Sequence, residues 1–233
     1  MWGGGVCGGV VGCGRAERVA GLWAVLLSGS RLGAACVDAV PRGAVAAIRR
    51  STGHLSDLIE GLLEISKIEA GRLELYRNRV RVRSLIDELV TMFQLQAEEQ
   101  GIGFEFHSQG RIPEWVTTDE KRLRQVLINL LSNAIKFSPP EAEVVILTHL
   151  HDGLFRIEVT DYGTGIPDAF RPRIFEKFAQ ADSSDTRGRG GTGLGLSITR
   201  EIMSQMGGGV GFKSTEGYGS TFWLDIKPDE SDG

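Results

Sequence analysis

Cysteine is scarce in this chain: there are three in 233 residues, an odd number with no C-x-x-C spacing. That excludes a disulfide scaffold and offers no zinc signature. Positive charge is not in excess either, since the formal net charge is −4 and the isoelectric point lies near 5.7. A protein that grips nucleic acid needs a basic footprint, so that class is set aside. No apolar run reaches the ~18 residues of a membrane-spanning helix. No G-K-[ST] follows a glycine-rich loop, which removes the Walker motif. What is present is a globular balance, 41% hydrophobic and 24% charged, enough to bury a core.

Glycine divides the chain into two unlike parts. Residues 1–43 hold 11 of the 32 glycines and all three cysteines (Cys7, Cys13, Cys36), with a net charge of +2 against −6 for the remainder. The apolar stretch Val19–Leu27 follows arginines and mimics a short secretory core. A lipoprotein reading of Cys36 fails because Gly33, not leucine, stands three places before it. The expectation is a poorly ordered glycine-rich leader, or a start foreign to the domain behind it.

From Ala44 the texture changes. Ile48, Leu55, Leu58, Leu62 and Ile65 fall at spacings of 7, 3, 4 and 3, the seam of a helix that packs on other helices. Ile59 widens the stripe and Gly71 supplies a stop. Ser84 with Asp87 predicts a capping box opening a helix over 85–100, closed by Gly101. Ile102, Phe104 and Phe106 alternate as a strand. Thr118 or Asp119 caps a helix whose apolar positions are Leu123, Val126, Leu127, Leu130, Leu131, Ala134 and Ile135, a 3.6-residue period. Val144–His151 and Leu154–Asp161 predict strands joined by the hairpin pair Asp152-Gly153. A glycine-rich loop, 188–195, leads into a helix over 196–206. Val210–Ser214 and Ser220–Ile226 form closing strands around Gly217-Tyr218-Gly219. This order of helices and antiparallel hairpins predicts an α+β fold, a two-layer sandwich with a mixed, mainly antiparallel sheet packed on helices and a helix in front.

Four pieces carry chemistry. Asn129, Asn133 and Lys136 share one polar helix face, at i, i+4 and i+7. An amide oxygen suits Mg2+, and a lysine one turn on adds a point charge for phosphates. Alone, the face reads rather as a solvated polar stripe. Asp161-Tyr162-Gly163-Thr164-Gly165-Ile166 ends a strand, where a carboxylate can accept from an exocyclic amine and glycines admit a flat ring. Gly191-Thr192-Gly193-Leu194-Gly195-Leu196 opens a helix whose free N–H groups favour phosphate. Gly217-Tyr218-Gly219-Ser220-Thr221 is by itself a turn. No β-α-β unit surrounds the glycines, which removes the dinucleotide fingerprint.

Together these pieces resemble the catalytic ATP-binding domain of sensor histidine kinases, within the superfamily of gyrase, heat-shock chaperone and mismatch-repair ATPases. The resemblance rests on RQVLINLLSNAIKFSP (124–139), DYGTGIP (161–167), RIFEKFAQAD (173–182), GTGLGL (191–196) and EGYGSTFWL (216–224). SKIEAGRLEL (66–75) closes a segment similar to the second helix of the dimerisation and histidine-phosphotransfer domain. The implied organisation is a leader over 1–43, a partial dimerisation domain over 44–75 and a catalytic domain over 79–228. The resemblance implies ATP and Mg2+ as cofactors. Asn133 would hold the metal and Lys136 the phosphates, Asp161 the adenine amine, with Phe137, Gly163, Gly165 and Ile166 around the base. Gly191, Thr192, Gly193, Leu194, Gly195 and Leu196 would border the triphosphate, and Thr221 would join the nucleotide pocket. Phe175 and Phe178 would anchor a lid over 182–189. Asn129 stands where hydrolases of the superfamily place a glutamate base; an amide cannot take that proton, which favours transfer to a protein over hydrolysis.

The departure concerns the acceptor. The family's phosphoacceptor pattern H-E-x-x-x-P fits none of the four histidines, His54, His107, His149 and His151. The chain is thus expected to resemble the C-terminal half of a sensor kinase whose first helix is lost or replaced. It would act on a histidine in trans within a two-component phosphorelay. The expected partners are a response-regulator receiver domain and a homodimer or heterodimer with a full-length kinase through the 44–70 helix. Neither nucleic acid nor a membrane segment is implied, and the expected location is cytoplasmic, whether or not a parent kinase is membrane-attached. An ATP-binding pseudokinase that regulates dimers is the alternative. A serine/threonine kinase of the anti-sigma type shares the boxes, but residues 44–70 weigh against it.

Overall fold

The computed structural model describes residues 42–180 and 191–229. The glycine-rich leader, its cysteines and the lid over 182–189 lie outside the described residues. The chain divides into two units at Ser56/Asp57. Of the first, the described residues are the opening half of helix α1 (Arg42–Glu69), which runs on into the second.

The C-terminal part of α1 ends in a glycine stop. Gly71 takes φ +62°, the Arg72 N–H donates to Lys67 O and the Gly71 N–H to Ile68 O. These are the two reversed bonds that satisfy a helix's last carbonyls. Strand β1 (Asn78–Arg81) follows and pairs antiparallel with β3 (Trp115–Thr118) in a small separate sheet. Neither strand is signalled in the sequence, because four residues are too few to establish an alternation.

Helix α2 (Val82–Glu98) begins three residues before the expected start, so the Ser84/Asp87 capping box does not form. The Val82 N–H donates instead to Glu114 O at 3.3 Å, and Asp87 pairs with Arg83 at 3.0 Å. The neighbouring segment thus satisfies a first-turn donor that a serine would otherwise cap. Gly101 closes α2 at φ +68°, and β2 (Gly103–Ser108) leads on. Asp119 caps α3 (Glu120–Phe137), its carboxylate accepting from Arg122 N at 3.0 Å. All seven apolar positions named above on this helix are buried.

Strands β4 (Glu143–His151) and β5 (Leu154–Asp161) form the expected hairpin, with Asp152 at φ +50° and Gly153 at φ +76°. After α4 (Gly195–Met206) come β6 (Gly209–Thr215) and β7 (Gly219–Ile226). The main sheet has the order β2-β4-β5-β7-β6. Among the described strands only β2 and β4 run parallel. Phe155, Ile157, Val159, Leu224 and Ile226 face inward against α2, α3 and α4 in one core. The fold is the two-layer α+β sandwich that the pattern predicts. No described helix is long and apolar enough to cross a membrane.

Candidate nucleotide site

The site forms where the C-terminal half of α3 meets two glycine loops. Asp161 closes β5 on its inward face and is 7% exposed. Its carboxylate accepts from the Gly163 N–H at 3.0 Å and from the Ser220 main-chain N–H. Burial nevertheless pushes its pKa up to about 6, because desolvation of the charge outweighs those two bonds. The turn after it is packed too tightly for side chains. A Cβ on Gly163 would lie 2.4 Å from Phe137 O. One on Gly165, already at φ +65°, would lie 2.1 Å from Thr215 O. Ile166 is buried and its N–H donates to Ser214 Oγ at 2.8 Å.

The polar face of α3 is brought to the second loop. Lys136 is half-buried, with Nζ 4.9 Å from the centre of the Phe137 ring. No carboxylate among the described residues pairs with it, and desolvation lowers its pKa. A Cβ on Gly191 would come 2.9 Å from that Nζ. The side chain of Asn133, half-buried one turn earlier, makes no hydrogen bond among the described residues. An open amide oxygen and an uncompensated cation together fit a magnesium-phosphate group. Asn129 is engaged elsewhere: its Nδ2 donates to Thr199 Oγ1 of α4 at 2.9 Å, and its Oδ1 fills the space above Gly195.

The second loop is braced from outside. Phe178 N donates to Gly193 O at 3.0 Å, and Gln180 Nε2 to Gly191 O at 2.9 Å. Phe175 packs edge-on against Phe212, whereas the Phe178 ring is exposed. Leu194 is buried and its N–H donates to Thr192 Oγ1 at 3.3 Å. Leu196 packs partly buried on the core.

Thr221 stands apart from this cluster. Its hydroxyl bonds that of Thr160 at 2.9 Å, and both belong to the outward face of the sheet. Ser220 is the neighbour that shares Asp161's face, directly opposite it in the ladder. The sequence pattern assigns no role to Ser220 or Ser214. Both fall on inward positions of strands flanking the Gly217-Tyr218-Gly219 turn, a placement that the strand register alone identifies.

His107, His149 and His151 lie outside the site. His107 bonds Glu105 at 2.7 Å on β2, and His149 bonds Glu158 at 3.2 Å. His151 lies 3.5 Å from Asp152 at the hairpin, and His54 is a residue of α1.

Comparison with known proteins places this geometry. Residues 118–230 match the model of the histidine kinase-, DNA gyrase B-, and HSP90-like ATPase. The signal transduction histidine-protein kinase BarA of Escherichia coli is 39% identical over 187 residues, 78% of this chain and 20% of BarA. The sensory/regulatory protein RpfC of Xanthomonas campestris is 34% identical over 195 residues, 82% of this chain and 27% of RpfC. The chain therefore spans between a fifth and about a quarter of these relatives' lengths. A crystal structure of full-length ShkA in complex with AMPPNP superposes with a TM-score of 0.76 at 32% identity. It covers 91% of this chain and 44% of ShkA.

Proposed function

This chain belongs to the sensor histidine kinases through its histidine kinase-, DNA gyrase B-, and HSP90-like ATPase domain, and from that premise we propose that it binds Mg-ATP and phosphorylates a histidine in trans. One observation carries the reading: Lys136, half-buried and without an acid partner among the described residues, faces Gly191 one helix turn from an Asn133 amide that no described side chain engages. Burying a cation without compensation is costly, and the phosphates of a substrate would relieve that cost.

Asp161 accepts from the adenine amine, while Phe137, Gly163, Gly165 and Ile166 shape the base pocket. Lys136 and the N–H groups of Gly191–Gly195, with Thr192, hold the triphosphate. Asn133 would hold Mg2+, which neutralises developing charge on the phosphates when bound. In the transfer, the bond from the γ-phosphorus to the bridging oxygen breaks, ADP leaves, and an imidazole nitrogen of the acceptor forms the new bond. Asn129, with its amide tied to Thr199, has no proton-accepting group to activate water, which supports transfer over hydrolysis. A receiver domain would take the phosphoryl group next.

A second reading, a nucleotide-binding pseudokinase, is favoured by the acceptor pattern that none of the chain's four histidines fits. One experiment separates the two. Calorimetry should show ATP binding that Asn133→Ala and Asp161→Ala abolish. Labelled ATP should then mark a separately expressed first-helix segment from a related kinase. Binding without transfer would leave the pseudokinase, and a folded chain that binds no nucleotide would overturn both.

A further inference from the structure

Three inward residues lie side by side across three strands. Ser214 of β6 is register partner to Ser220 of β7, which is register partner to Asp161 of β5. All three are buried, at 8%, 7% and 7% exposure. They form one hydrogen-bonded rung. Ser214 Oγ meets Ser220 Oγ at 2.9 Å, and the Ser220 main-chain N–H donates to the Asp161 carboxylate. The same Ser214 hydroxyl donates to Gly219 O at 3.0 Å and accepts from the Ile166 N–H at 2.8 Å.

The position of those two extra bonds matters. Ile166 ends the turn that begins at Asp161, and Gly219 opens the strand that lies across from it. A single buried hydroxyl therefore ties the loop on one side of Asp161 to the hairpin on the other. Neither loop has many alternatives, because Gly165 presses on Thr215 O and Gly219 on Asp161 O, each at 2.1 Å from a notional Cβ. The two main-chain donors to the carboxylate, Gly163 and Ser220, lie one on each of the segments that this hydroxyl joins, so the hydroxyl fixes where both point.

We propose that Ser214 is a positioning residue for base selection: it holds the Asp161 carboxylate in the orientation that accepts an exocyclic amine, without itself touching the nucleotide. The inference rests on the assignment of Asp161 to the adenine amine. A buried hydrogen-bonding site discriminates only as well as its acceptor is held, because a loosely held acceptor turns to meet a different base edge. Removing Ser214 Oγ should therefore blur the choice of base more than it weakens the grip on phosphate.

The test compares ATP with inosine triphosphate, which carries a carbonyl in place of the amine and shares the sugar and phosphates. Binding of both is measured by calorimetry on the full chain at pH 7.5. Wild type should prefer ATP, and Ser214→Ala should narrow the ratio about tenfold, the scale of one well-aimed hydrogen bond. Ser214→Thr, which restores a hydroxyl, should return the ratio. Should Ser214→Ala fail to fold, Ser214→Cys keeps the volume with a weaker donor and decides by the same ratio. Equal weakening toward both nucleotides would mean a merely structural serine and overturn the inference alone. A wild type indifferent to the two bases would overturn the Asp161 assignment beneath it.

Discussion

Asp161 is the residue whose charge the fold holds at a cost. Its pKa rises from 3.8 to about 6 on burial, so between those values the folded state binds more protons than the unfolded one. Stability then falls as pH rises through that window. Asp161→Asn removes the titration. The difference in unfolding free energy between wild type and Asp161→Asn should shift against wild type by roughly 1–3 kcal/mol from pH 3.5 to pH 7. Urea denaturation at several pH values reads this, and a flat difference would show that the carboxylate is not desolvated. The ligand would supply what the fold withholds, since an amine donating to the carboxylate favours its charged form. The aspartate was legible at the end of an apolar strand. Its serine supports were not, because two isolated serines gain meaning only when register places them on one rung.

At the scale of elements, α3 and α4 are seated on each other through Asn129 and Gly195. A Cβ at 195 would lie 2.2 Å from Asn129 Oδ1 and 2.9 Å from its Cγ. Alanine is worth about 1 kcal/mol over glycine inside a helix, so propensity alone predicts that Gly195→Ala stabilises. The contact predicts the reverse, a loss of about 1–3 kcal/mol from overpacking. In an Asn129→Ala background the same change should cost less than half as much, a coupling that denaturant midpoints of the four proteins measure. The helices themselves were legible from period and glycine stops. Their starts were less so: α2 opens at Val82 because Glu114 O meets its first amide, a partner 32 residues away that no local motif announces.

For the molecule as a whole, the seam on α1 divides between two environments. Ile65 is buried, and Gly61 lies close enough to Leu194 that a Cβ would be 2.8 Å from its Cδ1. Glu64 pairs with Arg122 and Glu69 with Lys177 along the same stretch. Leu55, Ile59, Leu62 and Leu63 remain exposed, at 53%, 39%, 46% and 58%. Burying each such side chain is worth roughly 1.5–3 kcal/mol, so the stripe favours a second helix from another chain. Light scattering should find wild type self-associated at micromolar concentration. Leu62→Lys with Leu63→Lys should give a folded monomer that melts earlier, having lost the partner's stabilisation, with unchanged ATP binding. A monomeric wild type would remove the dimerisation reading while leaving the nucleotide site as argued.

Local chemistry was sufficient for much of this protein. The helix with buried Leu123 to Ile135, the Asp152-Gly153 hairpin, the glycine stops at 71 and 101, and the four polar or glycine-rich motifs are each written within a few residues. Periodicity and backbone freedom act at that range. What only the tertiary structure decided are the long-range pairings: the short β1–β3 sheet, the parallel β2–β4 register, the bond from Asn129 to Thr199, and the rung from Ser214 through Ser220 to Asp161. Each depends on which face a side chain takes once distant strands align. A shift of one residue in register would turn Ser220 outward and Thr221 inward. That alignment is set by the shared apolar core of the sheet and its helices.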